Sequence, residues 1–254
     1  MQQLTLKVNK LQQLTSGIKS FEFVSPIGDD LPVFTAGAHL DFHLDNGLIR
    51  SYSLANNPEE SNRYVTAVLR EETGGGGSKY MHDNVSVGDE LKVTGPSNNF
   101  ELADISGTHI LLGGGIGITP LLAMGHKLKA ENRPCHLHYC TKSREETAFI
   151  EEVEEIFGDN LTFYHDGGDP SKGINLKKTI GVQTKDANLY ICGPAGLLSA
   201  ARDVTSHWTV GSVHFELFQS TKTKEEKAAE AKLDNRNQAF EVELAQSGLT
   251  LIIP

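Results

Sequence analysis

The chain has 254 residues, 38% of them hydrophobic and 22% charged, with a net charge of −10 at pH 7; this is enough material for two domains with separate cores. An acidic surface repels phosphate backbones and argues against a nucleic-acid partner. No charge-free apolar run reaches membrane length, and the first ten residues lack the basic, apolar and small-residue order of a secretion signal, so the expected location is cytoplasmic with no membrane partner.

Residues 4–8, 19–23, 39–44, 63–70 and 90–94 alternate between apolar and polar side chains, and turn formers such as Asp45-Asn46-Gly47 and Asn56-Asn57-Pro58 separate them. Short strands at such spacing predict an antiparallel β-barrel over residues 1–103. The period changes near Gly107. Strand candidates at 109–112, 135–140, 161–165, 188–192 and 213–218 are interleaved with helical stretches at 121–129 and 144–157. In the second stretch Phe149, Val153 and Ile156 share one face. A third helix opens at Gly193-Pro194 and reaches about Trp208. Residues 104–220 therefore read as an α/β domain with a parallel sheet. Residues 221–239, rich in Lys, Glu and Ala, read as an exposed linker, and 240–254 as one hairpin turning at Ser247-Gly248.

Three cysteines, Cys135, Cys140 and Cys192, are too scattered for a disulfide framework or a cluster, and no metal site is expected. The turn from Gly113 to Pro120 lies between a strand and a helix, where parallel sheets bind ligands and an uncapped helix start attracts phosphate. A tight turn without a ligand would read the same way. Cys192-Gly193-Pro194 is a second such turn, on the same presumed edge. Cys192 either faces a reacting group or fills a gap as a small buried thiol. In Arg50-Ser51-Tyr52-Ser53-Leu54 the alternation puts Arg50 and Tyr52 on one face, offering a guanidinium for a phosphate and a ring for a flat ligand. The segment Thr73-Gly74-Gly75-Gly76-Gly77-Ser78 is either a flexible loop or a nest of amides for an anion.

The order of these landmarks resembles the ferredoxin–NADP reductase superfamily. It is most similar to the phthalate dioxygenase reductase and vanillate demethylase reductase family, the electron-supply subunits of Rieske oxygenases. The residues that carry the likeness also include Gly95-Pro96-Ser97-Asn98-Asn99-Phe100, His138-Tyr139-Cys140 and His214-Phe215-Glu216-Leu217-Phe218. The resemblance implies FMN on the barrel and NADH, rather than NADPH, on the parallel domain. It assigns Arg50, Gly76, Gly77 and Ser78 to the FMN phosphate, with Ser51 in the same binding strand. Tyr52 would lie against the flavin, Ser53 near its N5, and Ala67, Val68 and Leu69 along its pyrimidine edge. Gly115, Gly117, Thr119 and Pro120 would face the dinucleotide phosphates, with Gly193 and Pro194 on the neighbouring turn. Ser53, Cys192 and Phe218 are the expected catalytic set, Cys192 near the nicotinamide and Phe218 closing over the rings.

Two departures from the family pattern stand out. Gly75 replaces an Arg of the family's loop, a loss that Lys79 is expected to offset. Residues 240–254 resemble only the first hairpin of a C-terminal ferredoxin domain, and that domain's four-cysteine run has no counterpart, so the chain reads as a truncated form. A 2Fe–2S cluster is expected only in a full-length form. The expected activity is NADH-dependent reduction of FMN with single electrons passed to an oxygenase component or ferredoxin. A free flavin reductase and a redox-inactive regulatory binding module on the same scaffold remain open alternatives.

Overall fold

The computed structural model describes residues 2–218, and the backbone alone of residues 240–244 and 249–253. Six strands form the first sheet: β1 (Gln3–Gln13), β2 (Ile18–Val24), β3 (His39–His43), β4 (Ile49–Ser53), β5 (Tyr64–Leu69) and β6 (Glu90–Ser97). Their order is β4-β3-β6-β1-β2-β5, every pairing is antiparallel, and a bridge between Leu54 and Thr66 joins the two edge strands. The alternation read from the sequence is the cause. In β3, Leu40 and Phe42 are wholly buried while His39, Asp41 and His43 stay partly exposed. One face thus builds a core and the other meets water. A short helix, α1 (Gly77–Asn84), lies between β5 and β6.

The second sheet is parallel, with the order β11-β10-β7-β8-β9, built from β7 (His109–Gly114), β8 (Cys135–Thr141), β9 (Leu161–His165), β10 (Asn188–Cys192) and β11 (Val213–Glu216). Every residue of β10 is buried, the mark of an inner strand covered on both faces. The crossover helices are α2 (Ile118–Ala130), α3 (Ile150–Phe157), α4 (Leu176–Ile180) and α5 (Ala195–Val204). The two-domain architecture of a barrel followed by a parallel α/β sheet is therefore present. Strands β12 (Phe240–Leu244) and β13 (Leu249–Ile253) pair antiparallel. The linker at 221–239 and the Ser247-Gly248 turn lie outside the described residues.

Two helical expectations need correction, and one helix had not been expected. The helix expected over 144–157 begins only at Ile150. Upstream, hydroxyls compete for the backbone: the Thr147 side chain donates to the Ser143 carbonyl at 2.8 Å, and Phe149 takes a left-handed φ of 57°. The helix expected to reach Trp208 stops at Val204, and Trp208 instead sits in a turn with its indole N–H donating to the Ile180 carbonyl at 3.1 Å. The short α4, too brief for a periodic signal, went unread. No helix among the described residues is long and apolar enough to cross a membrane.

Candidate functional site

The side expected to take the flavin starts at β4. Its alternation turns Arg50 and Tyr52 to one face. The Arg50 guanidinium donates to the Gly75 carbonyl at 2.7 Å and to the Ile49 carbonyl at 2.8 Å. Its stem lies across Gly77, where an added Cβ would come within 2.4 Å of the Arg50 Cγ. Gly77 is therefore glycine so that Arg50 can reach the start of α1. That helix begins after Gly76, at a left-handed φ of 80°, and no side chain caps it. Its first amides are left for an anion, next to a cation. Ser78 uses its oxygen to accept from the Glu71 amide at 3.1 Å, which leaves its own proton free to donate.

The Lys79 ammonium is 3.1 Å from the Glu72 carboxylate, an exposed pair. Arg70 also binds Glu72, and it pairs with Asp83. This network ties the Gly-rich loop to α1. Ser51 is exposed and donates to Asp41 at 2.5 Å, so its hydroxyl is spent within the barrel wall. Tyr52 is half-buried with its ring 5.6 Å from Phe42, and burial raises its phenol above the ordinary range. Ser53 is largely buried and its carbonyl accepts from the Thr66 hydroxyl at 2.8 Å; no residue among those described engages its own hydroxyl, which is not fully buried. It is a donor held in reserve at the end of β4.

Strand β5 faces β4 across a gap. The Val65 amide donates to Asn56 Oδ1 and its carbonyl accepts from Ala55, so odd-numbered residues of β5 turn their polar backbone groups away from β2. Ala67 and Leu69 follow the same alternation past the Leu54–Thr66 bridge, where pairing with β4 ends. Backbone donors and acceptors thus line an open edge beside Ser53. Val68 turns the other way, and its carbonyl accepts from His82 Nε2 at 2.8 Å.

On the nucleotide side, the two strand-to-helix turns meet. A Cβ at Gly117 would lie 2.2 Å from the Cys192 carbonyl oxygen, and one at Gly193 would lie 3.0 Å from the Gly114 Cα. A Cβ at Gly114 would meet the Pro194 ring at 2.7 Å. Glycine at these positions lets two backbones touch. Gly115 differs: its φ is +53° and nothing lies within 4 Å of where a Cβ would be, so its outer side is open. Neither α2 nor α5 has a side-chain cap. Both helix starts therefore leave first-turn amides for phosphate.

Thr119 and Pro120 do not present their side chains outward. Both are buried, and the Thr119 hydroxyl donates to the Ile116 carbonyl at 3.2 Å, so they shape the turn from within. Cys192 is wholly buried, as a small core thiol would be; its thiol points at a Glu216 carboxylate oxygen 4.0 Å away. Burial, then Glu216, push that thiol well above its usual range. Glu216 itself, which sequence reasoning passed over, is pushed up to about 7 by burial. The signal was available in a charged residue inside the last strand of a parallel sheet. Phe218 closes the described segment and is 37% exposed. Arg144, in the loop after β8, is paired with Glu154 at 3.1 Å.

The donor sets fit a flavin and a dinucleotide: an arginine at an uncapped helix start, an unpartnered serine hydroxyl, an open strand edge, and a glycine turn with free space. They do not fit an iron–sulfur cluster. Cys135 and Cys140 lie on β8 and Cys192 on β10, and no cluster of metal-ligating side chains exists among the described residues.

Comparison with known proteins agrees with this division of labour. The oxidoreductase FAD-binding domain model matches residues 5–102, and the oxidoreductase NAD-binding domain model matches residues 111–203. The chain is 41% identical to a phthalate 4,5-dioxygenase oxygenase reductase subunit of Pseudomonas putida, over 98% of this chain and 75% of that protein. It is 36% identical to a vanillate O-demethylase oxidoreductase of Acinetobacter baylyi, over 94% of this chain and 73% of that one. The solved structure of phthalate dioxygenase reductase superposes with a TM-score of 0.83 at 39% identity, covering 99% of this chain and 76% of its own. A barrel with an arginine-gripped anion cradle, followed by a parallel sheet with two touching glycine turns, thus coincides with identity along nearly the whole chain: the protein belongs to the phthalate dioxygenase reductase family of flavin- and pyridine-nucleotide-dependent oxidoreductases.

Proposed function

We propose that the protein is the reductase component of a Rieske-type oxygenase or demethylase, that its flavin is FMN, that its donor is NADH, and that an oxygenase component or ferredoxin with a 2Fe–2S centre takes the electrons. The observation that carries the flavin reading is Arg50 laid across Gly77 at the uncapped start of α1. One guanidinium and one helix start make a cradle for one phosphate, which is what FMN presents. When bound, the flavin supplies the chemistry, accepting a hydride and releasing electrons singly.

The chain's own residues bind, orient and exclude water. Arg50, the amides of Gly76 and Gly77, and Ser78 hold the phosphate. Tyr52 offers a ring face, and Ser53 offers its free hydroxyl to a ring nitrogen. Ala67 and Leu69 offer backbone groups to the pyrimidine edge, and Val68 holds β5 to α1 through His82. Gly115 and Gly117 admit the dinucleotide phosphates to the starts of α2 and α5, with Gly193 and Pro194 on the second turn. Arg144, bound to Glu154, is a poor ligand for an additional phosphate, which favours NADH. Cys192, Glu216 and Phe218 border the space at the ends of β10 and β11. Reduced thiols and a pyridine-nucleotide donor suit the cytoplasm.

The test is the visible spectrum of the purified protein, identification of acid-released flavin by mass, and anaerobic addition of NADH. Released FMN and bleaching by NADH support the reading. Released FAD overturns the FMN assignment, and a flavin that dissociates freely on dilution favours a free flavin reductase. Bound flavin that NADH does not bleach favours a redox-inactive module.

A further inference from the structure

We propose that Tyr139 is a positioning residue whose hydroxyl clasps the nucleotide turn to the barrel. The inference rests on the reading above only for its catalytic consequence. Tyr139 lies in β8, fully buried, with its ring near Phe163 at 6.1 Å between centroids. Its hydroxyl lies 3.0 Å from the Gly115 carbonyl and 3.3 Å from the Ala148 carbonyl, one proton shared by two acceptors.

One acceptor lies in the left-handed region of the backbone and the other directly precedes a residue that does. Gly115 has φ +53°, and Ala148 immediately precedes Phe149, whose φ is 57°. A non-glycine residue in that region costs energy and persists only where its surroundings hold it. The hydroxyl thus pins two left-handed turns at once: the glycine turn at the end of β7 and the loop between β8 and α3.

What these turns carry outward gives the clasp its use. Ala148 is wholly buried against Ile18 and Ala67 of the barrel, with Leu14, Ile116 and Phe149 packed around them. Ile116 belongs to the glycine turn itself, and Ala67 to the strand with the open edge. Beside this seam the Ser16 hydroxyl donates to Glu146 at 2.6 Å. The nucleotide turn therefore reaches β5 through side chains that the Tyr139 hydroxyl holds in register. Losing that hydrogen bond leaves the seam's residues in place but lets both turns relax. Reacting groups held on opposite sides of the seam would then lose alignment, to which rates are steeply sensitive.

Amide hydrogen exchange on the ligand-free protein and on Tyr139→Phe, which keeps the ring, tests this. Exchange in residues 113–118 and 147–151 should accelerate together by about fivefold, the factor expected for one ordinary hydrogen bond, while β4 stays unchanged. Unchanged exchange, or acceleration in one segment alone, refutes the clasp. Phe163→Leu perturbs the same packing without touching the hydroxyl, so equal acceleration of both segments in that variant would also refute it. In the flavin-loaded protein, Tyr139→Phe should keep its flavin content and lose about tenfold in the rate of flavin reduction at saturating NADH; an unaltered rate overturns the catalytic role. Failure of the wild-type protein to be reduced by NADH would count against the reductase reading, and the exchange result would still decide the clasp.

Discussion

Replacing Gly117 with alanine should separate the two glycine turns of the proposed nucleotide site. The added Cβ would fall 2.2 Å from the Cys192 carbonyl oxygen, 2.4 Å from its carbonyl carbon and 2.7 Å from the Gly193 nitrogen. All three are backbone atoms. Cys192 ends β10, which is paired with β7 on one side and β11 on the other, so the obstacle cannot swing away as a flexible side chain would. Overpacking a tight site costs about 1–3 kcal/mol, and an unyielding backbone puts this one near the top of that range. At about 2–4 °C per kcal/mol for a chain of this size, the melting temperature should fall by roughly 6–12 °C. Gly196→Ala is the matched comparison. Gly196 is an exposed residue of α5 with nothing within 4 Å of its Cβ position, so alanine there should stabilise by about 0.5–1 kcal/mol. Calorimetry of the two variants beside the wild type reads both effects. Equal melting temperatures for Gly117→Ala and wild type would refute the close approach and the reasoning built on it.

Arg50→Gln should leave the fold intact and raise the flavin dissociation constant by about tenfold to a hundredfold, the loss of one charge-assisted hydrogen bond worth about 1.5–3 kcal/mol; fluorescence titration of the apoprotein with FMN checks it, and unchanged affinity would remove Arg50 from the phosphate site. Glu216 gives a pH signature. Burial raises its carboxyl from the ordinary 4.5 to about 7, so between those values the folded chain binds more protons than the unfolded one. Stability contributed by the protonated form is present at low pH and is lost as pH climbs from about 4.5 to about 7. Glu216→Gln should therefore match the wild type near pH 4.5 and exceed it above pH 7 by up to about 3 kcal/mol. Denaturation by urea across that range reads the difference, and parallel pH profiles for both proteins would show that Glu216 ionises freely.

Much of the candidate site was legible because its demands are local. A cation at one residue and an aromatic ring two positions later share a strand face whatever surrounds them, so Arg50 and Tyr52 could be paired from sequence. Glycine between a strand and a helix marks a tight turn by sterics alone, so the edge carrying Gly115 and Gly117 could be found. Less legible were side-chain hydrogen bonds and ion pairs within single turns and loops, which side-chain period does not encode. The Thr119 hydroxyl turns back onto the Ile116 carbonyl of its own turn. Lys79 meets Glu72 across the Gly-rich loop. The helix before Ile150 has acceptable periodicity, and only the hydroxyls of Thr141 and Thr147 and the Tyr139 contact with Ala148 show why it does not form.

Local sequence specifies the two kinds of sheet, their order along the chain and the glycine turns at the strand ends. Side-chain period and glycine placement follow from backbone geometry within a few residues. The tertiary structure alone decided which glycines are needed for contact and which for space. At Gly77 a folded-over Arg50 fills the position, at Gly117 the end of β10 does, and at Gly115 nothing does. It also decided that a glutamate in the last strand of the parallel sheet would lie partly buried beside Cys192, and that one tyrosine hydroxyl would hold two turns. These follow from close packing between segments far apart in the chain, which excludes water and removes the freedom of groups that local sequence leaves unrestrained.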